Sequence, residues 1–237
     1  MSLLTLANIE TYYGPIMAIH GVSLTVEEGQ IAILLGANGA GKTTVLKTIS
    51  GAMDPQKGKV LFDDQEIQGK DPDEVARMGV AHVPEGREVF PFLTVKENLL
   101  MGAYSRSDGE IADDIDMVLE YFPVLKEKAA QQSAFLSGGQ QQMLAIGRAL
   151  MAEPSLLLID ELSLGLMPKI IDQCYEVIQE LKKQGMTLLI VEQNTKKALE
   201  VSEQVLILES GRKVWEGKAE DAKNNPEIFE AYLGLSS

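Results

Sequence analysis

The chain has 237 residues, 45% hydrophobic and 24% charged, with a formal net charge of −14. That length allows one substantial core, or one core with an inserted lobe, and hardly two independent domains. The acidic balance argues against a broad nucleic-acid surface, which needs dense Lys and Arg, and no apolar run approaches the roughly 20 residues of a membrane span.

In chain order, the start, MSLLTLANIE, lacks the basic region and apolar stretch of a secretion signal. A soluble, intracellular protein is expected. IAILL, Ile31–Leu35, reads as a buried parallel strand that ends at a glycine loop. KTTVLKTIS then places Val45, Leu46 and Ile49 on one helical face, and Gly51 stops the helix. GKVLFDD is a strand entering a turn, PDEVARM a short helix begun by Pro72, and GVAHV another buried strand. From 84 to 153 the character changes. TVKENLLMGAY, GEIADDIDMVLEYF and SGGQQQMLAIGRALMAE all carry helical spacing. Strands and helices then alternate again through SLLLID, PKIIDQCYEVIQELKKQ, MTLLIVE, TKKALEVS and QVLILES, and GRKVWEG pairs with the last as a hairpin. The lone cysteine, Cys174, lies in a helical run and reads as packed and inert, and His20 and His82 read as structural. The expected class is α/β with a mainly parallel sheet, an N-terminal antiparallel β subdomain and an inserted helical subdomain. The domain expectation is a single unit, 1–237, with 1–83 and 154–237 as core and 84–153 as helical lobe. No room is expected beyond EAYLGLSS for a further regulatory domain.

GANGAGKT fits G-x-x-x-x-G-K-[ST] at Gly36, Gly41, Lys42 and Thr43. Glycines there let backbone N–H groups curl around phosphate oxygens, Lys42 reaches the β and γ phosphates, and the Thr43 hydroxyl suits Mg²⁺. The full seat spans Gly36, Asn38, Gly39, Ala40, Gly41, Lys42, Thr43 and Thr44. LLLIDE ends an apolar strand in two acids, Asp160 for the metal and Glu161 for the attacking water. A second glycine-bearing helix start, LSGGQ, holds Ser137, Gly138, Gly139 and Gln140. It reads either as a second anion seat or as a plain serine-capped helix.

With LSGGQ in place, the chain resembles the ATP-binding cassette family, the ATPase subunits of ABC transporters, over essentially its whole length. The resemblance implies that two cassettes pack head to tail, so that Ser137, Gly138, Gly139 and Gln140 bind the γ-phosphate of a partner's ATP. It implies an adenine-stacking aromatic at Tyr13, with Tyr12 the alternative. Glu85 stands where a glutamine usually touches Mg²⁺ and water, and Gln193 where a histidine usually holds the γ-phosphate. Leu162 replaces a common proline and Leu166 a common aspartate. VPEGR, SLGLMP and VEQN look like cassettes of high-affinity branched-chain amino acid importers, with urea or short-amide importers as the near alternative. A non-transport cassette acting on nucleic acid is the rival class. The implied cofactors are ATP and Mg²⁺. The implied partners are a second cassette, two membrane-spanning permease subunits and an extracytoplasmic solute-binding protein, with the chain peripheral on the cytoplasmic face. Phe90, Phe92 and Leu93 are expected to form an apolar knot that either docks a permease helix or packs in the lobe.

Overall fold

A strand covered on both faces has no need of polar alternation, so its sequence is continuously apolar. The computed structural model describes residues 1–225 and has three such strands at its centre. The chain begins with β1 (Ser2–Tyr13), β2 (Ile16–Glu27), β3 (Ile31–Leu35), α1 (Lys42–Ile49), β4 (Lys57–Phe62), β5 (Gln65–Glu66), α2 (Pro72–Arg77) and β6 (Val80–Val83). A helical stretch follows, with α3 (Val95–Gly102), α4 (Ile111–Tyr121), α5 (Pro123–Lys126), a 3-10 turn at Ser133–Phe135 and α6 (Gly138–Leu150). The chain then forms β7 (Leu156–Asp160), α7 (Pro168–Lys183), β8 (Thr187–Glu192), α8 (Thr195–Val201), β9 (Gln204–Glu209), β10 (Arg212–Lys218) and α9 (Ala219–Lys223). The expected last twelve residues of the core, 226–237, lie outside the described residues.

The described strands form two sheets. One is antiparallel in the order β2-β1-β4-β5, and the other runs β10-β9-β3-β8-β7-β6. The second is parallel from β9 to β6, with β10 added antiparallel as the expected hairpin. Alternate residues of its strands enter two different cores. Ile31, Ile33, Leu35, Leu157, Ile159, Leu188 and Ile190 pack with α6 and α7. Ala32, Leu34, Leu158, Leu189 and Val191 pack with Val45, Leu46 and Ile49 of α1 and with Leu4, Leu6 and Ile9 of the antiparallel sheet. Each buried leucine or isoleucine stabilises the fold by about 2 kcal/mol. The helical stretch has no separate core. Leu99, Val118, Met143, Leu144 and Ile146 share one cluster with the sheet, so the helices carrying them are seated on its face.

Parallel strands end on the same side, and ligands of such sheets sit at those carboxyl ends. The residues next in sequence after β3, β6, β7 and β8 are Gly36, Pro84, Glu161 and Gln193. Topology alone thus brings motifs separated by more than a hundred residues to one edge. Among the described residues, no helix is long and apolar enough to cross a membrane.

Candidate active site

A β-carbon at Gly36 would lie 2.5 Å from the Leu208 carbonyl oxygen on β9, so only glycine lets the loop leave the sheet here. Gly41, the residue before α1, has φ +102°, a left-handed conformation that glycine adopts without strain. No side chain caps α1, which leaves the N–H groups of its first turn to an anion. Ala40 is buried beneath the loop. Lys42 is only 5% exposed. Its Nζ donates to the carbonyls of Gly36 (2.8 Å) and Ala37 (3.2 Å) and lies 3.3 Å from Glu161 Oε1. A cleft of about 780 Å³ opens above, walled by Tyr13, Asn38, Gly39, Gly41, Lys42, Thr43, Thr44, Glu85, Glu161 and Gln193. These are residues the sequence had singled out, now gathered from both ends of the chain.

Asp160 closes β7 beneath the cleft and is 1% exposed. Burial raises its carboxyl pKa to about 6. The Thr43 hydroxyl and Lys42 oppose that rise, while the charges of Glu161 and Glu85 add to it. Its Oδ1 is buried with no hydrogen-bond partner, an oxygen left to be satisfied by something else. With the Thr43 hydroxyl and Glu85, the donors here are all oxygen, the set a hard divalent cation prefers.

Glu161 follows at φ 53°, unusual for a residue with a side chain. Such backbone costs on the order of 1 kcal/mol and persists where the surroundings enforce it. The enforcement is visible. Glu161 N donates to the Val191 carbonyl (3.0 Å), its Oε1 meets Lys42, and the same Oε1 accepts from Gln193 Nε2 (3.0 Å). Gln193 Nε2 also donates to Asn38 Oδ1 (2.6 Å), which ties the phosphate loop to the strand ends.

Of the two tyrosines, Tyr13 lines the cleft, 47% exposed, with its hydroxyl 3.5 Å from Thr44 Oγ1. Tyr12 does not line it and points to Glu10 instead. Ile16, Met17, Ala18 and His20 on the other arm of the β1–β2 hairpin, Leu164 after β7, and Ser210 and Gly211 in the β9–β10 turn complete the wall. These were not found from sequence. The available signals were the hairpin turn Gly14–Pro15 and the tight turn at Ser210–Gly211, yet their place depends on distant pairing. Gly211 N donates to the Ala40 carbonyl (2.9 Å), and a β-carbon there would lie 2.2 Å from the Ala18 carbonyl oxygen.

Ser137 caps α6. Its Oγ accepts from Gln140 N (3.3 Å), while Gln140 Oε1 accepts from Ser137 N (3.0 Å). Gly138 and Gly139 thus start the helix without side chains of their own. A β-carbon at Gly138 would lie 2.9 Å from Nη1 of the Arg87 guanidinium. One at Gly139 would lie 2.8 Å from the Ile170 side chain. None of Ser137, Gly138, Gly139 and Gln140 lines the cleft. One chain does not bring its two glycine seats together.

Of the two readings of Phe90, Phe92 and Leu93, packing in the lobe does not hold for the two phenylalanines. Phe92 is 83% and Phe90 43% exposed, and Leu93 is half-buried. The loop carrying them is shaped by polar contacts instead. Asn98 Nδ2 donates to the carbonyls of Phe90 and Leu93, and Arg148 lies over the Phe90 ring, 5.1 Å from its centroid. Cys174 is fully buried and burial pushes its thiol up to about 12, while burial pushes His82 down to about 4.

The sequence model of a family described as ABC transporter matches residues 19–163. The high-affinity branched-chain amino acid transport ATP-binding protein BraG of Pseudomonas aeruginosa is 45% identical over 232 residues, covering 98% of this chain and 100% of that protein. The ADP conformation of an ATP-binding cassette of an ABC transporter superposes with TM-score 0.88 at 28% identity, covering 99% of this chain and 100% of the other. A dimeric post-hydrolysis cassette bound to ADP and Pi gives TM-score 0.81 at 28% identity, over 91% and 98%. Matched along its length by sequence and over its fold by structure, the chain belongs to the ABC transporter family, as an ATP-binding and ATP-hydrolysing cassette.

Proposed function

We propose that this cassette hydrolyses ATP to drive import of branched-chain amino acids, at the cytoplasmic face of a membrane it does not itself cross. The observation that carries the reading is the 45% identity to BraG across nearly the full length of both chains. It works as one unit, with 84–153 as a helical lobe on the nucleotide-binding core. ATP binds over the loop from Gly36 to Thr44, with Tyr13 against the adenine and Lys42 on the β and γ phosphates. Thr43, Asp160 and Glu85 would hold Mg²⁺, which when bound supplies positive charge to the same phosphates. The unpartnered Asp160 Oδ1 supports that placement. Glu161 polarises the attacking water, and the Gln193 amide holds Glu161 in place. Catalysis is positioning and electrostatic stabilisation, with no covalent intermediate.

The partners are a second cassette, two permease subunits and an extracytoplasmic binding protein. The dimeric relative supports the first. In that pair, Ser137, Gly138, Gly139 and Gln140 complete the nucleotide site of the other cassette. The exposed Phe90, Met101 and Tyr104 border a second cleft of about 620 Å³, which suits an inserted permease helix.

The test is reconstitution with the membrane subunits and binding protein in proteoliposomes. Leucine, isoleucine or valine should stimulate ATP turnover. Stimulation by urea or short amides alone would move the protein to the sister class of importers. Salt-sensitive retention of nucleic acid in place of membrane subunits would overturn transport altogether.

A further inference from the structure

Glu192, the last residue of β8, is a fully buried carboxylate outside the proposed chemistry. Five donors converge on it. Its Oε1 accepts from Ser163 N (2.8 Å) and from the Tyr175 hydroxyl (3.2 Å). Its Oε2 accepts from Ser163 Oγ (2.8 Å), Gln193 N (3.0 Å) and Asn194 N (3.2 Å). A carboxylate has about four lone-pair sites, so both oxygens are saturated. Burial raises the Glu192 pKa, and hydrogen bonds from Ser163, Asn194 and Gln193 oppose that rise.

The donors come from three separate segments. Ser163 lies two residues after Glu161, in the loop between β7 and α7. Gln193 and Asn194 form the turn between β8 and α8. Tyr175 belongs to α7. Glu192 therefore knots the loop that carries Glu161 to the turn that carries the Gln193 amide. That amide donates to Glu161 Oε1 at 3.0 Å. We propose that Glu192 is a positioning residue for ATP hydrolysis, fixing the Gln193 amide against Glu161 from behind without touching the nucleotide. The inference rests on Glu161 as the residue that polarises water.

Glutamine at 192 keeps the shape and loses the function of the site. Three of the five donors are backbone N–H groups, which cannot turn round to accept. In either orientation the new NH₂ faces at least one of them, Ser163 N on one side or Gln193 N and Asn194 N on the other. The knot must loosen where it holds position 193.

The experiment uses the cassette assembled with its membrane subunits. Glu192→Gln should lower kcat about tenfold, the scale of one hydrogen bond to a charged acceptor, with KM for ATP within about twofold of the parent. Affinity of the isolated chain for a non-hydrolysable ATP analogue should be unchanged. In a Gln193→Ala background, the same substitution should cost about twofold or less, because its route of action is already gone. An equal cost in both backgrounds, an unchanged kcat, or a loss confined to KM would overturn the proposal. Should Glu192→Gln melt well below the parent, Ser163→Ala carries the test. It removes one donor and leaves the carboxylate, so a kcat reduced about threefold at unchanged affinity supports the knot, and an unchanged kcat sinks it. Glu161→Gln is assayed separately. If that variant kept its turnover, the water assignment would fall while coupled costs at 192 and 193 still placed Glu192 behind the Gln193 amide.

Discussion

The two glycine-opened helix starts, at α1 and α6, are built differently. At α1 no side chain caps the helix, and a buried lysine and buried acids surround the free N–H groups. At α6 the serine caps its own helix through a reciprocal pair with Gln140, and Ser137 stands exposed. The first seat has donors, counter-charge and carboxylates within one cleft, so it can bind and activate. The second has donors at two bare glycines and can only add them to a ligand brought from outside. Binding should therefore reside in the first seat, and turnover should require both.

The sharpest way to break this contrast is Glu161→Gln. The substitution keeps the side chain's shape and removes its basicity. Turnover should fall on the order of 1,000-fold, within the range of a lost general base. ATP affinity of the isolated chain should hold, because Lys42 keeps its contacts to Gly36 and Ala37. Near-parent turnover in the assembled transporter would remove Glu161 from the mechanism.

Gly138→Ala addresses the second seat with little damage to the fold. The added carbon meets only the end of the Arg87 side chain, which can shift. Turnover of the assembled complex should fall on the order of 100-fold, the scale of losing one preorganised N–H donor. The isolated chain should bind ATP as before. A matching loss of binding in the isolated chain would mean that the two seats are not separate.

The seats should also differ in their response to pH. Asp160 has a folded pKa of about 6, above the ordinary 3.8. The folded chain thus holds a proton that the unfolded chain has already released. As pH rises from about 4 to 6 the native state loses stability, and above 6 the penalty is complete, on the order of 3 kcal/mol. In nucleotide-free, Mg²⁺-free protein, Asp160→Asn should raise Tm by roughly 5–10 °C at pH 7.5 and by little at pH 4.5. Ser137→Ala should cost about 1 kcal/mol as a lost cap, at every pH in that range. An Asp160→Asn gain that persists at pH 4.5 would place its cause outside ionisation.

Much of the first seat was legible because its signals are local. IAILL, LLLID and TLLIVE are apolar throughout, which parallel burial demands, and the glycine spacing after Leu35 follows from anion geometry. The walls were not legible. Gly211 reaches the cleft through the pairing of β9 with β3 across the chain, which no local pattern encodes, and Ile16 lines it only because the β1–β2 hairpin is set against the same edge. For Phe90, Phe92 and Leu93 the sequence left packing and docking open, because adjacency in sequence does not set exposure, and the two phenylalanines stand exposed. Leu162, where the resemblance has proline, is fully buried in the core beside α7, a placement that sequence position alone does not give. Glu192 hid at a strand end, where an acid reads as a turn.

The smallest expected effect bears on how the first seat is held together. Gln193 stands where the family's histidine would carry a charge, but glutamine cannot ionise near neutral pH. What it offers is one amide, shared between Asn38 Oδ1 at 2.6 Å and Glu161 Oε1 at 3.0 Å. It can orient Glu161 and tether the phosphate loop, and it can add a neutral donor to a phosphate. Gln193→Ala should then lower kcat about tenfold, the scale of one hydrogen bond to a carboxylate, with a smaller rise in KM. Gln193→His separates orientation from charge. Imidazole cannot reproduce both amide contacts, but it can carry a proton. If Gln193→His matched or exceeded the parent at pH 6 and fell towards the alanine variant at pH 8, charge at this position would matter more than orientation. A Gln193→His variant as slow as Gln193→Ala at both pH values would assign the role to the amide's geometry, the arrangement that Asn38, Gln193 and Glu161 already display.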